Sequence, residues 1–405
     1  MKQQHVLILG GGASGLAAAV IASECGARVT LLERSDRVAK KLLATGNGRC
    51  NLANTGKGVY FGDAAFAEKV LSRIGAEDVR AFFDRLGVPT RPDSAGRVYP
   101  ACNQAAAVVD ALRLRLQQSR VRIVTGAQAT TIEKAAEGYV VRTSAGSFSA
   151  DKVIVCCGGL AAPKLGAANA YNLLTPFDCK LIAPGPALTP IETEKAPVKG
   201  LSGLRLPVTL TLSDGKKPIA CTQGEMLFAD YGVSGVCVMQ LSRDAHNLLK
   251  RKAQPVLYVD FSPAMGLGEY RMERLAPRSP YANEKRLLRY LQEREIYMPE
   301  SDLLLGALPR LLRERLPKAS IEELAHLLCA YPLPVTGVRG YDQAQVTQGG
   351  IDTADFSPDT LEHRQHKGLY ACGEILNVDG DCGGFNLQFA FACGMIAAEH
   401  AAMTE

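Results

Sequence analysis

The chain has 405 residues, of which 47% are hydrophobic and 21% charged, and its 46 basic and 41 acidic residues give a net charge of +5. This length suggests two or three domains with a large core, and the composition excludes a disordered or collagen-like chain. Basic residues form only short clusters, such as "KKPIA" and "LKRKAQ", so we expect no nucleic-acid partner.

Neither secretion nor membrane insertion is expected. "MKQQHVLIL" reaches glycines after a few apolar residues, too few for a signal peptide, and there is no run of about 18 apolar residues to span a membrane. The 12 cysteines form no CxxC pair, and several lie in apolar stretches where a thiol packs as a small hydrophobe. We therefore predict a reducing, cytoplasmic location and no metal site, and leave the oligomeric state open.

The first predicted elements are a buried strand, "HVLIL", and a helix rich in small residues, "SGLAAAVIASECG". Between them, Gly10, Gly12 and Gly15 have GxGxxG spacing, which permits a tight turn, backbone approach to a pyrophosphate, and close packing of helix on strand. The next strand, "ARVTLLE", ends in Glu33, where a carboxylate would bind ribose hydroxyls. We predict a dinucleotide site; the alternative is an ordinary glycine turn with a solvated strand-end acid.

This unit does not separate a nicotinamide from a flavin cofactor, but two distant segments favour a flavin. "KKLLATGNGRCNLAN" (residues 40–54) is a glycine-punctuated loop. "KGLYACGEILNVDGDCGGFNLQFAFACGMIAAEH" (residues 367–400) predicts a strand, a glycine-rich loop and a helix from near Asn386. The positive end of that helix would stabilise the negative charge of a reduced flavin ring. The alternative is a plain loop and helix with Asn386 as the N-cap.

The chain also resembles a known family, through "GRCNLAN", "CCGGLAAPKLGAANAY", "GEMLFADYGVSG", "AQVTQGGID" and "GLYACGEILNVDGDCGGFNLQFA". Nearly end to end it resembles the BaiN/YhiN-like bacterial flavoproteins, also known as aminoacetone-oxidase-like FAD-binding enzymes. It departs from their pattern at "GVSGVC" (residues 232–237) and at Asn377, where an aspartate is common, and this affects the substrate more than the cofactor.

The resemblance implies a non-covalently bound FAD. The contacts it implies match Gly10, Gly12, Gly15, Glu33, Lys41, Arg49, Cys50, Asn51, Gly158, Gly373, Glu374, Asn386 and Leu387. Neighbouring residues complete the predicted cofactor site: Ala13, Ser14, Arg34, Gly48, Ala129, Gly159 and Gly384.

The predicted fold is α/β, a Rossmann-type FAD-binding domain completed by the C-terminal segment. Residues 1–186 and 336–405 form this domain, residues 187–265 an antiparallel barrel-like insert, and residues 266–335 a small helical insert. "CCGG" ends a buried strand, and we predict that its two cysteines pack in the core, since vicinal cysteines seldom bridge without strain.

The leading hypothesis is an FAD-dependent oxidoreductase that transfers a hydride between FAD and a small organic substrate. The resemblance implies conjugated enone reduction or small-amine oxidation. Arg49 and Cys50 are the catalytic candidates, with Tyr231 a more remote one. The chain has one complete GxGxxG motif and no CxxC dithiol, so NAD(P)H, the candidate electron donor, would bind without a second Rossmann domain. A flavin-dependent RNA-modifying enzyme and a non-catalytic flavin-binding regulator are the alternatives.

Overall fold

The computed structural model describes residues 3–267, 273–297, 302–316 and 319–403. The chain divides into two compact units, each with its own hydrophobic core. The first contains Met1–Gly185 and Val346–Glu405, and the second, inserted into it, contains Pro186–Gln345.

The strands before the insertion are β1 (His5–Leu9), β2 (Arg28–Leu32), β3 (Ala53–Asn54), β4 (Tyr60–Gly62), β5 (Thr90–Pro92), β6 (Arg97–Pro100), β7 (Arg122–Val124), β8 (Ala129–Lys134), β9 (Tyr139–Thr143), β10 (Gly146–Ala150), β11 (Lys152–Val155) and β12 (Leu181–Ala187). Those of the second unit are β13 (Ile191–Thr193), β14 (Arg205–Ser213), β15 (Pro218–Ala229), β16 (Gly232–Ser234), β17 (Val256–Asp260), β18 (Glu273–Leu275) and β19 (Tyr331–Val338). The chain then returns to the first unit with β20 (Val346–Ile351), β21 (Leu369–Ala371) and β22 (Val378–Gly380).

The α-helices of the described residues are α1 (Ala13–Glu24), α2 (Lys40–Ala44), α3 (Ala64–Arg73), α4 (Ala76–Arg85), α5 (Ala105–Gln118), α6 (Lys195–Val198), α7 (Val236–Met239), α8 (Ser242–Lys250), α9 (Glu284–Glu295), α10 (Arg310–Arg313), α11 (Ile321–Cys329) and α12 (Phe385–Ala402). No helix among them is long and apolar enough to cross a membrane.

The first unit is built on a parallel sheet in the order β21-β11-β1-β2-β7. β1 is its central strand, and Val6–Leu9 are at most 1% exposed, as expected for a continuous apolar run covered on both faces. Small residues let α1 and α12 pack closely, because a side chain at Gly394 would collide with the main chain of Ser14. The carboxyl ends of β11 and β21 also reach the start of α1, because Cys156 lies against Gly10 and Gly373 lies against Ser14.

The second unit contains a closed antiparallel barrel. Its six strands follow the order β14-β17-β19-β13-β16-β15, and β15 pairs again with β14 to close the ring. Leu206, Val208, Leu210 and Leu212 alternate along β14 and contribute one apolar face to the core. Residues of α9, α10 and α11 pack into the same core.

The predicted architecture is therefore confirmed: a Rossmann-type sheet, an antiparallel barrel and added helices. Two details differ from the predicted insert. β18 pairs with β15 although it lies in the segment predicted to be helical. In "LLLGALPRLLRERL", α10 is a short helix that begins directly after Pro309, because proline disfavours a helical conformation for the residue before it. The bounds of the four predicted segments remain a prediction.

Candidate cofactor site

The three glycines after β1 have different surroundings. A side chain at Gly10 (φ +105°) would collide with the carbonyl oxygen of Cys156, and one at Gly15 would collide with that of Gly10. Gly12 has an extended conformation (φ −86°, ψ −164°), and a Cβ there would meet nothing within 4 Å. Gly10 and Gly15 thus permit the turn and the packing of α1, while Gly12 faces the open space that a pyrophosphate would need.

Glu33 lies beside the glycine motif, directly after β2. Its Oε2 accepts a hydrogen bond from the Gly11 N–H at 2.8 Å, and its Oε1 accepts one from the Ser35 N–H at 2.7 Å. Each carboxylate oxygen has a second lone pair for a ribose hydroxyl. The neighbouring Arg34 donates to the carbonyl oxygen of Ala167 at 3.3 Å.

The loop after α2 is tightly wound. Gly46, Asn47, Gly48 and Cys50 all have left-handed backbone conformations, with φ of 57°, 55°, 80° and 60°. The conformation costs energy at Asn47 and Cys50, which carry side chains, and such strain is typical of ligand-binding loops. A Cβ at Gly48 would meet nothing within 4 Å, so this part of the loop is also open.

The two catalytic candidates of this loop occupy contrasting environments. The Arg49 guanidinium lies 4.7 Å from the centre of the Tyr99 ring and donates to the Gly46 carbonyl at 3.3 Å. Cys50 is fully buried, and burial raises the pKa of its thiol to about 12. Its thiol is therefore neutral, which does not favour a reactive thiolate at this position.

Asn51 has an unsatisfied polar atom. Its Oδ1 is buried without a hydrogen-bond partner among the described residues. It faces the glycine-rich loop before α12, because a Cβ at Gly384 would lie 2.6 Å from it. A buried acceptor of this kind is costly unless a ligand donor reaches it.

The C-terminal segment is tied to the N-terminal loops by an ion pair. Lys41 Nζ and Glu374 Oε2 are 2.7 Å apart, with side chains 32% and 21% exposed. Gly373 (φ +76°) lies against Ser14, and a Cβ there would approach the Ser14 hydroxyl to 3.1 Å. The predicted residues Ser14, Lys41, Gly373 and Glu374 are thus brought together.

The turn after β11 contributes a second glycine pair. A Cβ at Gly158 (φ +69°) would meet nothing within 4 Å, whereas one at Gly159 would lie 2.5 Å from Thr347 Oγ1 and 2.8 Å from Glu374 Oε1. Gly158 is open to a ligand and Gly159 is closely packed. Sequence reasoning missed Thr347, although it lies in the quoted segment "AQVTQGGID".

The start of α12 corrects one prediction. The helix begins at Phe385 with Gly384 (φ +104°) as its N-cap, so the expectation of an Asn386 cap is wrong. Asn386 Oδ1 accepts from the Gly380 N–H at 2.8 Å and its Nδ2 donates to the Gly380 carbonyl at 2.9 Å, which secures the preceding loop. The Gln388 N–H donates to the Gly384 carbonyl at 3.0 Å. The N–H groups of the first turn, including that of Leu387, have no carbonyl partner within the helix and can bind a ligand.

Two further predicted residues have other neighbours. Ala129 is in β8, where it pairs with Thr143 of β9 in a separate antiparallel sheet. Tyr231 belongs to the second unit, and the Arg339 guanidinium lies 4.9 Å from the centre of its ring. Ala129 lies two residues after Ala127, whose N–H donates to the Glu33 carbonyl at 2.9 Å. The cofactor role of Ala129 and the catalytic role of Tyr231 stay predictions.

These residues fit a flavin adenine dinucleotide. Open glycines at Gly12 and Gly158, a ribose-binding carboxylate at Glu33, and the positive end of α12 match its elongated, doubly charged pyrophosphate structure. The buried Asn51 Oδ1 offers an acceptor for a ligand N–H or O–H group. In the part of the chain that the structure describes, no group of three or more His, Cys, Asp or Glu residues could hold a metal ion.

Comparison with known proteins supports this assignment. The chain is 35% identical to a 3-dehydro-bile acid delta(4,6)-reductase from Clostridium scindens, over 98% of both chains. It is 25% identical to a ribosomal RNA dihydrouridine synthase from Escherichia coli, again over 98% of both chains. A solved 3-ketosteroid delta1-dehydrogenase from Sterolibacterium denitrificans has a similar fold, with a TM-score of 0.50 at 12% identity, covering 99% of this chain and 100% of that one.

Fold, site and relatives together define an FAD-dependent oxidoreductase, as the sequence predicted. The chain belongs to the family described as HI0933-like protein Rossmann domain, whose model matches residues 4–400. The predicted family is thereby confirmed.

Proposed function

We propose that this protein uses FAD to reduce a carbon–carbon double bond conjugated to a carbonyl group in a small organic molecule. The observation that carries the proposal is the 35% identity, over 98% of both chains, to a reductase whose name describes a 3-oxo substrate with 4,6 double bonds. The cofactor cradle supports it, since a hydride donor is the cofactor that such a reduction requires.

Bound FAD would supply the hydride. The chain's own residues would bind and orient it: the open face of Gly12 and the start of α1 at the pyrophosphate, and Glu33 at a ribose. The first-turn amides of α12 would stabilise negative charge at the pyrimidine end of the flavin. We propose the predicted cofactor residues in these roles.

The proposed reduction also needs an acid that gives a proton to the substrate. Cys50 is a poor proton donor, because burial raises its thiol pKa to about 12. Arg49 is engaged with Tyr99 and Gly46, and a guanidinium does not give up its proton in proteins. We therefore propose that neither residue transfers the proton, and that Arg49 acts by positioning the loop.

One observation favours a second candidate function. A relative of 25% identity is named as a ribosomal RNA dihydrouridine synthase. The uracil double bond that such an enzyme reduces is also conjugated to a carbonyl, so the same flavin chemistry would serve. In that case RNA binding would weaken steeply with salt, through release of counterions from phosphates.

Rapid-mixing kinetics would test these alternatives. Protein reduced anaerobically by light should be reoxidised rapidly by a 4-en-3-oxo steroid acid, and the product should gain two hydrogens by mass spectrometry. Reoxidation by unmodified ribosomal RNA but not by the enone would favour the second candidate. Reduction of the oxidised flavin by aminoacetone would indicate amine oxidation instead. If every acceptor reoxidises the flavin no faster than buffer does, a regulatory role replaces the proposal.

Separate tests of NADH and NADPH under anaerobic conditions would identify the electron donor. We propose a reduced nicotinamide, because hydride transfer to flavin is its ordinary chemistry. Bleaching of the flavin absorbance by either nucleotide would support this, and no bleaching by either would contradict it.

A further inference from the structure

Thr347 is buried at the point where four chain segments of the first unit meet. It is 0% exposed and lies in β20, the strand that returns the chain from the inserted unit. Its Oγ1 accepts hydrogen bonds from the backbone N–H groups of Leu160 at 2.8 Å and Ala161 at 3.0 Å. One hydroxyl thus fixes two successive amides of the turn after β11.

The main chain of Thr347 extends this network. Its N–H donates to Glu374 Oε1 at 2.9 Å, and the other oxygen of that carboxylate pairs with Lys41 at 2.7 Å. The connected groups come from α2, from the turn after β11, from β20 and from the Gly373–Ile375 turn. All four segments adjoin glycines or charged residues of the cofactor site.

The turn held by Thr347 has no spare room on its inner side. Gly159 packs against the Thr347 side chain and against Glu374, whereas the outer face of Gly158 is open. The Thr347 hydroxyl therefore holds Leu160 and Ala161, the two residues that follow this glycine pair. An isosteric change that removes only this oxygen would leave two amide donors without their acceptor, one of them in the fully buried Ala161.

We propose that Thr347 is a positioning residue of the FAD site: by holding the amides of Leu160 and Ala161 and, through Glu374, Lys41, it sets the second glycine turn against the cofactor. The inference rests on the FAD-binding part of the proposed function and not on the identity of the substrate. Thr347 touches the turn and not the reacting atoms, so its loss acts on FAD binding.

The test is FAD affinity of the full-length apoprotein, measured by quenching of flavin fluorescence. Thr347→Val should weaken FAD binding by about 10- to 100-fold, the range expected when buried amides lose an acceptor. Thr347→Ser keeps the hydroxyl that accepts from both amides, so its affinity should lie within about threefold of the parent. Amide hydrogen exchange at Leu160 and Ala161 should accelerate in the valine variant only.

Thr353→Val is the matched control. Thr353 is also buried in the first unit, at 6% exposure, and its hydroxyl bonds Asp63 at 3.0 Å. This variant should lose stability but keep the parent FAD affinity. Equal loss of FAD in both valine variants would overturn the proposal, because it would reflect general destabilisation.

A second variant covers the case in which Thr347→Val does not fold. Gly159→Ala would push a methyl group against the Thr347 hydroxyl and should also weaken FAD binding by at least tenfold, since the contact at 2.5 Å must shift. Parent-like affinity in either folded variant overturns the role of Thr347. Because substrate is absent from these assays, failure of the enone assay would leave the result intact.

Discussion

Gly12 is a predicted cofactor contact, and the space beside it is open. A Cβ at Gly12 would meet no protein atom within 4 Å, so a larger side chain there should block a bound ligand without disturbing the fold. Gly12→Val should therefore abolish FAD retention and leave the apoprotein melting temperature within a few degrees of the parent. Flavin absorbance after gel filtration and a thermal melt would measure the two effects.

Gly75→Val provides the control for Gly12→Val. Gly75 is also a helix N-cap, with φ −90° and ψ −167°, close to the −86° and −164° of Gly12. It precedes α4, and a Cβ there would make only ordinary contacts, the nearest at 3.6 Å. The control should keep its flavin. If Gly12→Val also kept it, the glycine motif would be a structural turn alone.

Glu33 has a structural role in addition to the ribose contact predicted from its motif. From sequence, its carboxylate serves the ribose; in the structure it also holds the N–H groups of Gly11 and Ser35. Glu33→Ala should weaken FAD by more than loss of a ribose contact, because it also frees two loop amides, each worth about 1–3 kcal/mol when left unsatisfied. Isothermal titration would show it: an affinity loss below about threefold would contradict the double role.

Cys50 carries the third residue-level prediction. Because its thiol is buried and its pKa is about 12, a redox relay through this sulfur is not expected. Cys50→Ser should keep FAD and keep flavin reduction by the electron donor at a similar rate, at a stability cost of about 1–3 kcal/mol for burying a hydroxyl. Loss of turnover in a variant that binds FAD normally would instead make Cys50 catalytic.

At the scale of elements, the decisive contact is between the loop before α12 and the helix itself. Asn386 makes three hydrogen bonds to Gly380 and Asp381, and so fixes the approach to the N-terminus. Asn386→Ala should lower the free energy of unfolding by about 1–3 kcal/mol, because the loop loses its hydrogen bonds to this side chain. It should also weaken FAD binding, because the glycines before the helix are then no longer held in place. Denaturant unfolding and FAD titration are the measurements.

The control for this element is Asn172→Ala. Asn172 is exposed and donates a single hydrogen bond to the Thr130 carbonyl at 3.3 Å. Its replacement should change stability by less than about 0.5 kcal/mol, as is usual at the surface. An Asn386 variant that behaves like this control would show that the loop is held by its glycines alone.

At the scale of the whole molecule, one buried and three half-buried histidines make stability depend on pH. Burial lowers the pKa values of His5, His246, His363 and His400 below the ordinary histidine value of 6.5. The unfolded chain then binds more protons than the native one, so stability is full above pH 6.5 and is lost as pH falls from there through the native pKa values. Burial raises the pKa of Asp260, which has the opposite sign and acts at lower pH.

We therefore expect the melting temperature to decrease as the pH is lowered from 7.5 to 5.5. His363→Gln should reduce this slope, because His363 is 1% exposed and its burial, with the neighbouring His366, lowers its pKa. A melting temperature that rises toward pH 5.5 in the parent would contradict the prediction.

Local patterns were sufficient for much of the fold. The apolar run of β1, the small-residue helix α1 and Gly10, Gly12 and Gly15 predict the βαβ unit, because strand burial and tight turns depend on residues close in sequence. The alternating strands "LRLPVTLTLS" and "PVLYVDFS" similarly predicted the barrel, which the closed six-strand ring confirms. The segment at β18 was misjudged, since its strand pairing is with a distant partner.

Some features of the candidate site follow from local sequence motifs, and others depend on tertiary contacts. The sequence by itself determined the open Gly12, the carboxylate of Glu33 and the presence of a C-terminal helix after a glycine pair, because each follows from a short local motif. Only the tertiary structure decided that Lys41 pairs with Glu374 and that Thr347 holds the turn after β11. These contacts join residues more than 180 positions apart. Glu374 and the turn after β11 follow parallel strands whose carboxyl ends lie at one edge of the sheet, and Thr347 reaches them from β20, which belongs to a separate two-stranded sheet.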